Sequence, residues 1–81
     1  MSELNKLRWR CRRGTLELDL MLTRYLENGF LSAKPEEQQA FLQLLDCEDT
    51  DLMHFLMGEG VPTHSALAAL VGKIRILPVR Q

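Results

Sequence analysis

Gly14-Thr15-Leu16-Glu17-Leu18-Asp19-Leu20-Met21-Leu22-Thr23-Arg24-Tyr25-Leu26-Glu27-Asn28-Gly29 is the stretch on which the fold turns. Its apolar residues recur with helical rather than strand spacing. Leu18, Met21, Leu22 and Tyr25 form one stripe, and Leu16 and Leu20 lie nearly opposite it. A helix apolar on two sides is one packed between neighbours, so this segment is predicted to be the central helix. Asn28-Gly29 supplies its C-terminal stop.

Working outward, the same period recurs. Ser2 is a candidate cap for a first helix carrying Leu4, Leu7 and Cys11, and Gly14 separates it from the central one. Pro35 suits the first turn of a third helix, with Glu36 and Glu37 near the positive end of its dipole and Phe41, Leu44 and Leu45 facing inward. Asp49 or Asp51 starts a short fourth helix with Leu52, Phe55 and Leu56, stopped by Gly58. Gly58 to Pro62 reads as a loop, and Thr63 as the cap of a fifth helix through Leu67, Leu70, Val71 and Ile74, ending before Pro78. The expectation is an all-α fold, a compact bundle of about five short helices. Residues 1–81 read as a single helical domain, with Pro78 to Gln81 left as a tail open to disorder.

Composition bounds the function. A chain of 81 residues buries about 60% of its unfolded surface, which allows one modest core. Hydrophobic residues make up 46% and charged ones 26%, the balance of an ordinary globular protein. The longest apolar stretch, Ala66 to Val71, falls far short of the roughly 20 residues a bilayer requires, so no membrane insertion is expected. Met1 to Asn5 lacks the apolar run of a secretory signal. Cys11 and Cys47 stand singly and read as reduced thiols, consistent with a cytoplasmic protein.

Charge is unevenly spread. Lys6, Arg8, Arg10, Arg12 and Arg13 crowd the first fourteen residues against Glu3 alone. Between residues 36 and 59 the chain carries Glu36, Glu37, Asp46, Glu48, Asp49, Asp51 and Glu59, with no Lys or Arg. Such polarity points to an oriented partner surface. At about 100° per residue, Lys6, Trp9, Arg10 and Arg13 fall opposite Leu4, Leu7 and Cys11. An indole among guanidinium groups is a binding arrangement, although Trp9 folded over a neighbouring helix fits the pattern as well. A nucleic-acid face is disfavoured, because the acidic tract would repel a polyanion.

Gly14 and Glu17 admit two compatible readings. With Gly14 as N-cap, Glu17 stands at N3, where its carboxylate can serve the cap and the helix dipole. Alternatively, Gly14 lets another protein's backbone approach, with Arg13 and Glu17 projecting on either side. Other chemistry is thin. His54 and His64 lack metal-ligand spacing. Gly58-Glu59-Gly60 starts like a dinucleotide fingerprint, but Thr63 stands where the third glycine belongs. No nucleophile has an evident base, so the chain is not expected to be an enzyme.

Trp9-Arg10-Cys11-Arg12-Arg13-Gly14-Thr15-Leu16-Glu17-Leu18-Asp19 resembles the defining segment of the succinate dehydrogenase assembly factor family. These proteins are also described as FAD flavinylation factors, and bacterial members were once named as toxin–antitoxin components. The family's Arg-Gly-x-x-Glu motif falls on Arg13, Gly14 and Glu17, and the acid after it on Asp19. Leu44-Leu45-Asp46-Cys47-Glu48-Asp49-Thr50-Asp51-Leu52 resembles the family's second block. Phe55 departs from the pattern, which commonly has tryptophan there.

The resemblance implies an assembly factor that binds the flavoprotein subunit of succinate dehydrogenase, and with it fumarate reductase as a further candidate. It would promote covalent FAD attachment to a histidine of that subunit while holding no FAD stably itself. Arg13, Gly14, Glu17, Asp19, Trp9, Arg10 and Arg12 are the implied partner-binding residues. The competing class is an antitoxin-like regulator of cytoskeletal partners or a small nucleic-acid binder.

Overall fold

The computed structural model describes residues 3–76. It is all-α: α1 (Glu3–Arg10), α2 (Leu16–Tyr25), α3 (Pro35–Leu45), α4 (Asp49–Leu56) and α5 (Ser65–Ile76), with α2 running on into a single π-helical turn, Leu26–Phe30. The expected Ser2 cap and the tail from Pro78 to Gln81 lie outside the described residues.

Local chemistry sets most of the boundaries. Thr15 is the extended N-cap of α2, and its hydroxyl accepts the Leu18 N–H at 3.3 Å. Gly14 is therefore one residue ahead of the cap, and Glu17 stands at N2 rather than N3. The expectation of Gly14 as the cap is corrected by one residue, because threonine brings an oxygen that reaches the N3 amide and glycine has none. Lys34 precedes α3, whose first residue is Pro35, with Glu36 and Glu37 in the first turn as expected. At the end of α4, Gly58 has φ of 81°. There its N–H bonds the Phe55 carbonyl and the Glu59 N–H bonds that of His54, the paired closure of a Schellman stop. Helix α5 begins at Ser65, two residues beyond the expected Thr63 cap.

The π turn extends α2 past the expected Asn28-Gly29 stop. A Cβ at Gly29 would lie 2.9 Å from Tyr25 Cε1, so glycine lets the widened turn pass over the tyrosine ring. Asn28 Nδ2 donates to the Arg24 carbonyl at 2.9 Å, and Gln38 Nε2 donates to that of Phe30 at 2.7 Å. The free carbonyls of the helix end thus find donors.

The core is one cluster: Leu18, Leu22, Tyr25, Leu26 and Phe30 from α2 and its extension, Ala40, Phe41, Leu44 and Leu45 from α3, Leu52 and Leu56 from α4, and Leu70, Val71 and Ile74 from α5, closed by Cys11. Phe41 is its aromatic hub, 4.8 Å from the Tyr25 ring and 5.4 Å from that of Phe30 between centroids. The Tyr25 hydroxyl donates to Glu37, and Lys73 reaches both Glu37 oxygens at 3.1 Å. That polar knot joins α2, α3 and α5 at the edge of the core.

One expectation fails on α2. Leu16 is 72% exposed and Leu20 45%, so the helix is covered on one side only. Helices α4 and α5 both pack against α2, whose buried residues are Leu18, Leu22 and Tyr25.

Candidate functional site: the turn before the second helix and its basic flank

Residues 11–15 carry the chain from α1 into α2 across the ends of α3 and α4. The turn is held by long-range polar contacts. Asp19 accepts the backbone N–H of Arg13, which ties the turn to the first turn of α2. Asp49, the first residue of α4, accepts the Gly14 N–H on Oδ2 at 3.0 Å. A Cβ on Gly14 would stand 3.2 Å from that same oxygen, and Gly14 does not have a positive φ. Glycine is thus favoured here by the close approach of Asp49, not by an unusual backbone conformation.

Arg13 turns inward. Its Nη2 donates to the Leu45 carbonyl at 2.5 Å and its Nη1 to that of Cys47 at 3.3 Å, while Asp49 Oδ1 lies 3.5 Å from Nη1. The guanidinium therefore serves carbonyls left free at the C-terminal end of α3, where a cation also suits the helix dipole. Its side chain is 14% exposed, and its Nε is buried without a partner. Glu17 is exposed on the first turn of α2 and forms no ion pair among the described residues. The expectation that Arg13 and Glu17 both project outward thus holds for Glu17 alone.

Trp9 is 65% exposed on the outer side of α1, as its place opposite Leu4, Leu7 and Cys11 predicts. The Arg12 guanidinium carbon lies 5.4 Å from the indole centroid, within cation–π range. Asn5, Arg8, Trp9 and Arg12 line an open groove of about 290 Å³. Much of the charge polarity closes internally. Arg8 pairs with Glu27 at 2.6 Å and Arg10 pairs with Asp46, each across exposed surface, and Arg13 faces Asp49. Lys6 and Arg12 are left without an ion pair among the described residues.

The seven candidate residues therefore divide. Trp9, Arg12, Gly14 and Glu17 are exposed. Arg10 is exposed but paired, and Arg13 and Asp19 are half-buried and bonded within the turn. The residue that sequence reading did not single out is Asp49. It was read as a start for α4, as one of the acidic tract and as part of the second block, but not as a site residue, and no local pattern discloses a partner 35 positions away.

Two other potential reactive groups do not join this surface. Cys11 is fully buried, and burial pushes its thiol up to about 11. Burial raises the Cys47 thiol as well, with Asp51 adding to the effect. Among the described residues no cluster of His, Cys, Asp and Glu could hold a metal ion, and no helix is long and apolar enough to cross a membrane.

Comparison with known proteins adds a direct likeness. A family model described as "Flavinator of succinate dehydrogenase" matches residues 5–77. The FAD assembly factor SdhE of Xylella fastidiosa (strain 9a5c) is 49% identical over 77 residues, covering 95% of this chain and 79% of that protein. The protein of the same name from Methylococcus capsulatus is 46% identical, covering 95% of this chain and 93% of its own length. That from Coxiella burnetii is 43% identical over 72 residues, covering 89% and 88%.

Proposed function

The chain belongs to the flavinator of succinate dehydrogenase family, and on that premise we propose how its surface performs the task. It is an assembly factor for flavinylation of succinate dehydrogenase, and its partner is the flavoprotein subunit. The observation that carries the residue-level reading is the opposed orientation of the motif: Arg13 bonded inward, Glu17 exposed, and Gly14 exposed between them.

The flavoprotein docks on this edge. Gly14 permits close approach and Glu17 offers a carboxylate to the partner. Trp9 and Arg12, with Arg10 beside them, extend the contact along α1 through stacking and charge. Arg13 and Asp19 act from behind by holding the turn in shape.

The factor is not an enzyme. It binds best to the flavoprotein conformation competent to attach FAD covalently and raises the population of that state, which is all that differential binding requires. It holds no FAD stably; the cofactor belongs to the partner. The same docking extends to the flavoprotein of fumarate reductase, and the encounter takes place in the cytoplasm. A polyanion-binding role is disfavoured, because Arg8, Arg10 and Arg13 each face a carboxylate of the same chain.

The test is in-gel flavin fluorescence of the succinate dehydrogenase flavoprotein in cells with and without this protein. Deletion lowers the covalent flavin signal; an unchanged signal refutes the reading.

A further inference from the structure

We infer that Asp49 is a positioning residue for docking of the flavoprotein: it holds the Gly14 turn in the geometry that the partner recognises. The inference rests on the flavinylation reading above and adds to it a residue outside the Arg-Gly-x-x-Glu motif.

Three observations support it. First, α2 has its own start signal in the bond from Leu18 N–H to the Thr15 hydroxyl. The bond from Gly14 to Asp49 is therefore not needed to begin the helix. What it does is fix the peptide plane one residue ahead of the cap, and so the angle at which the chain enters α2. Glu17 leaves the first turn of that helix, so its direction depends on that angle.

Second, one carboxylate serves both neighbours in the motif. Oδ2 takes the Gly14 N–H, and Oδ1 lies 3.5 Å from Arg13 Nη1. Arg13 is drawn further in by the carbonyls of Leu45 and Cys47. Asp49 thus links the motif to the junction between α3 and α4.

Third, Gly14 and Asp49 fit each other sterically. A side chain on Gly14 would meet the Asp49 carboxylate at 3.2 Å, and no positive φ otherwise calls for glycine. Gly14 and Asp49 act as a matched pair. Losing either one disturbs the same turn.

The experiment follows covalent FAD incorporation into purified apo-flavoprotein subunit with free FAD, while the concentration of the full-length factor is varied. Asp49→Ala raises the half-saturating factor concentration about tenfold, equivalent to about 1.4 kcal/mol, and leaves the maximal rate unchanged. Asp49→Asn keeps an oxygen for the Gly14 N–H and recovers most of the affinity. Circular dichroism monitors the fold, and Asp49→Leu, similar in size but without an acceptor for the Gly14 N–H, replaces the Ala variant in the comparison if Ala unfolds.

The inference is overturned if Asp49→Ala, or Asp49→Leu where Ala does not fold, titrates like wild type or changes only the maximal rate. It is equally overturned if Asn rescues no better than the variant without an acceptor. Failure of the wild-type factor to promote incorporation would refute the flavinylation reading itself, a distinct result.

Discussion

The Arg13 guanidinium bonds the carbonyl of Leu45, 32 residues further along the chain, so the cation at the head of the motif is committed to the interior of its own protein. Truncating it leaves the Leu45 and Cys47 carbonyls without these donors and loosens the start of α4. Arg13→Ala should therefore destabilise the fold by about 1–3 kcal/mol, the scale for lost hydrogen bonds to a charged group. Urea unfolding measures this. Arg13→Lys should recover only part of the loss, because one ammonium cannot reproduce the two-pronged grip on separate carbonyls. Wild-type stability in Arg13→Ala would return Arg13 to the docking surface.

The knot of Tyr25, Glu37 and Lys73 should make stability fall at acid pH. The hydrogen bond from the Tyr25 hydroxyl, with help from Lys73, holds the Glu37 carboxyl below its ordinary 4.5, although burial opposes the shift. A group with a depressed folded pKa contributes stability above its unfolded value and loses it as pH falls through the folded one. Tyr25→Phe keeps the ring in the aromatic core but removes the hydroxyl. Its unfolding midpoint should lie below wild type at neutral pH, and the gap should narrow as pH falls below 4.5. At the alkaline end, burial followed by the Glu37 contact raises the Tyr25 pKa, so its contribution is present below about pH 10 and lost as pH rises further. A gap constant from neutral to acid pH would show that the Tyr25–Glu37 bond is not formed in solution.

The two thiols should separate cleanly under alkylation. Cys11 is fully buried with its pKa pushed up to about 11, whereas Cys47 is only partly covered. At neutral pH in the native protein, iodoacetamide should label Cys47 first. Cys11 should react only through global unfolding. Peptide mass spectrometry over time reads both sites. Equal rates would mean that the segment from α1 into the turn opens independently of the core.

How much of this was legible in the sequence depends on how local each feature is. Pro35 at the start of α3 and Gly58 at the end of α4 act within a few residues, and both were read correctly. The core stripe of α2 followed from its period. That Leu16 and Leu20 stay exposed did not, because periodicity says which residues are apolar and not which side another helix covers. The π turn over Tyr25 depends on Gly29 lacking a side chain beneath a ring, a contact no helical pattern announces. The site divides in the same way. Trp9 was placed on the outer side of α1 by its angle alone. The inward turn of Arg13 and the grip of Asp49 on Gly14 span 32 to 35 residues, and only the packed chain brings those groups together.

Glu17 offers the cleanest separation of docking from folding. It is exposed and forms no ion pair among the described residues, so Glu17→Ala should change stability by no more than about 0.5 kcal/mol. The decisive measurement is covalent flavin in the succinate dehydrogenase flavoprotein of a deletion strain complemented with either wild-type protein or Glu17→Ala, each at verified expression. The account predicts that wild type restores in-gel flavin fluorescence and the well-folded variant does not. Equal restoration by both would contradict it.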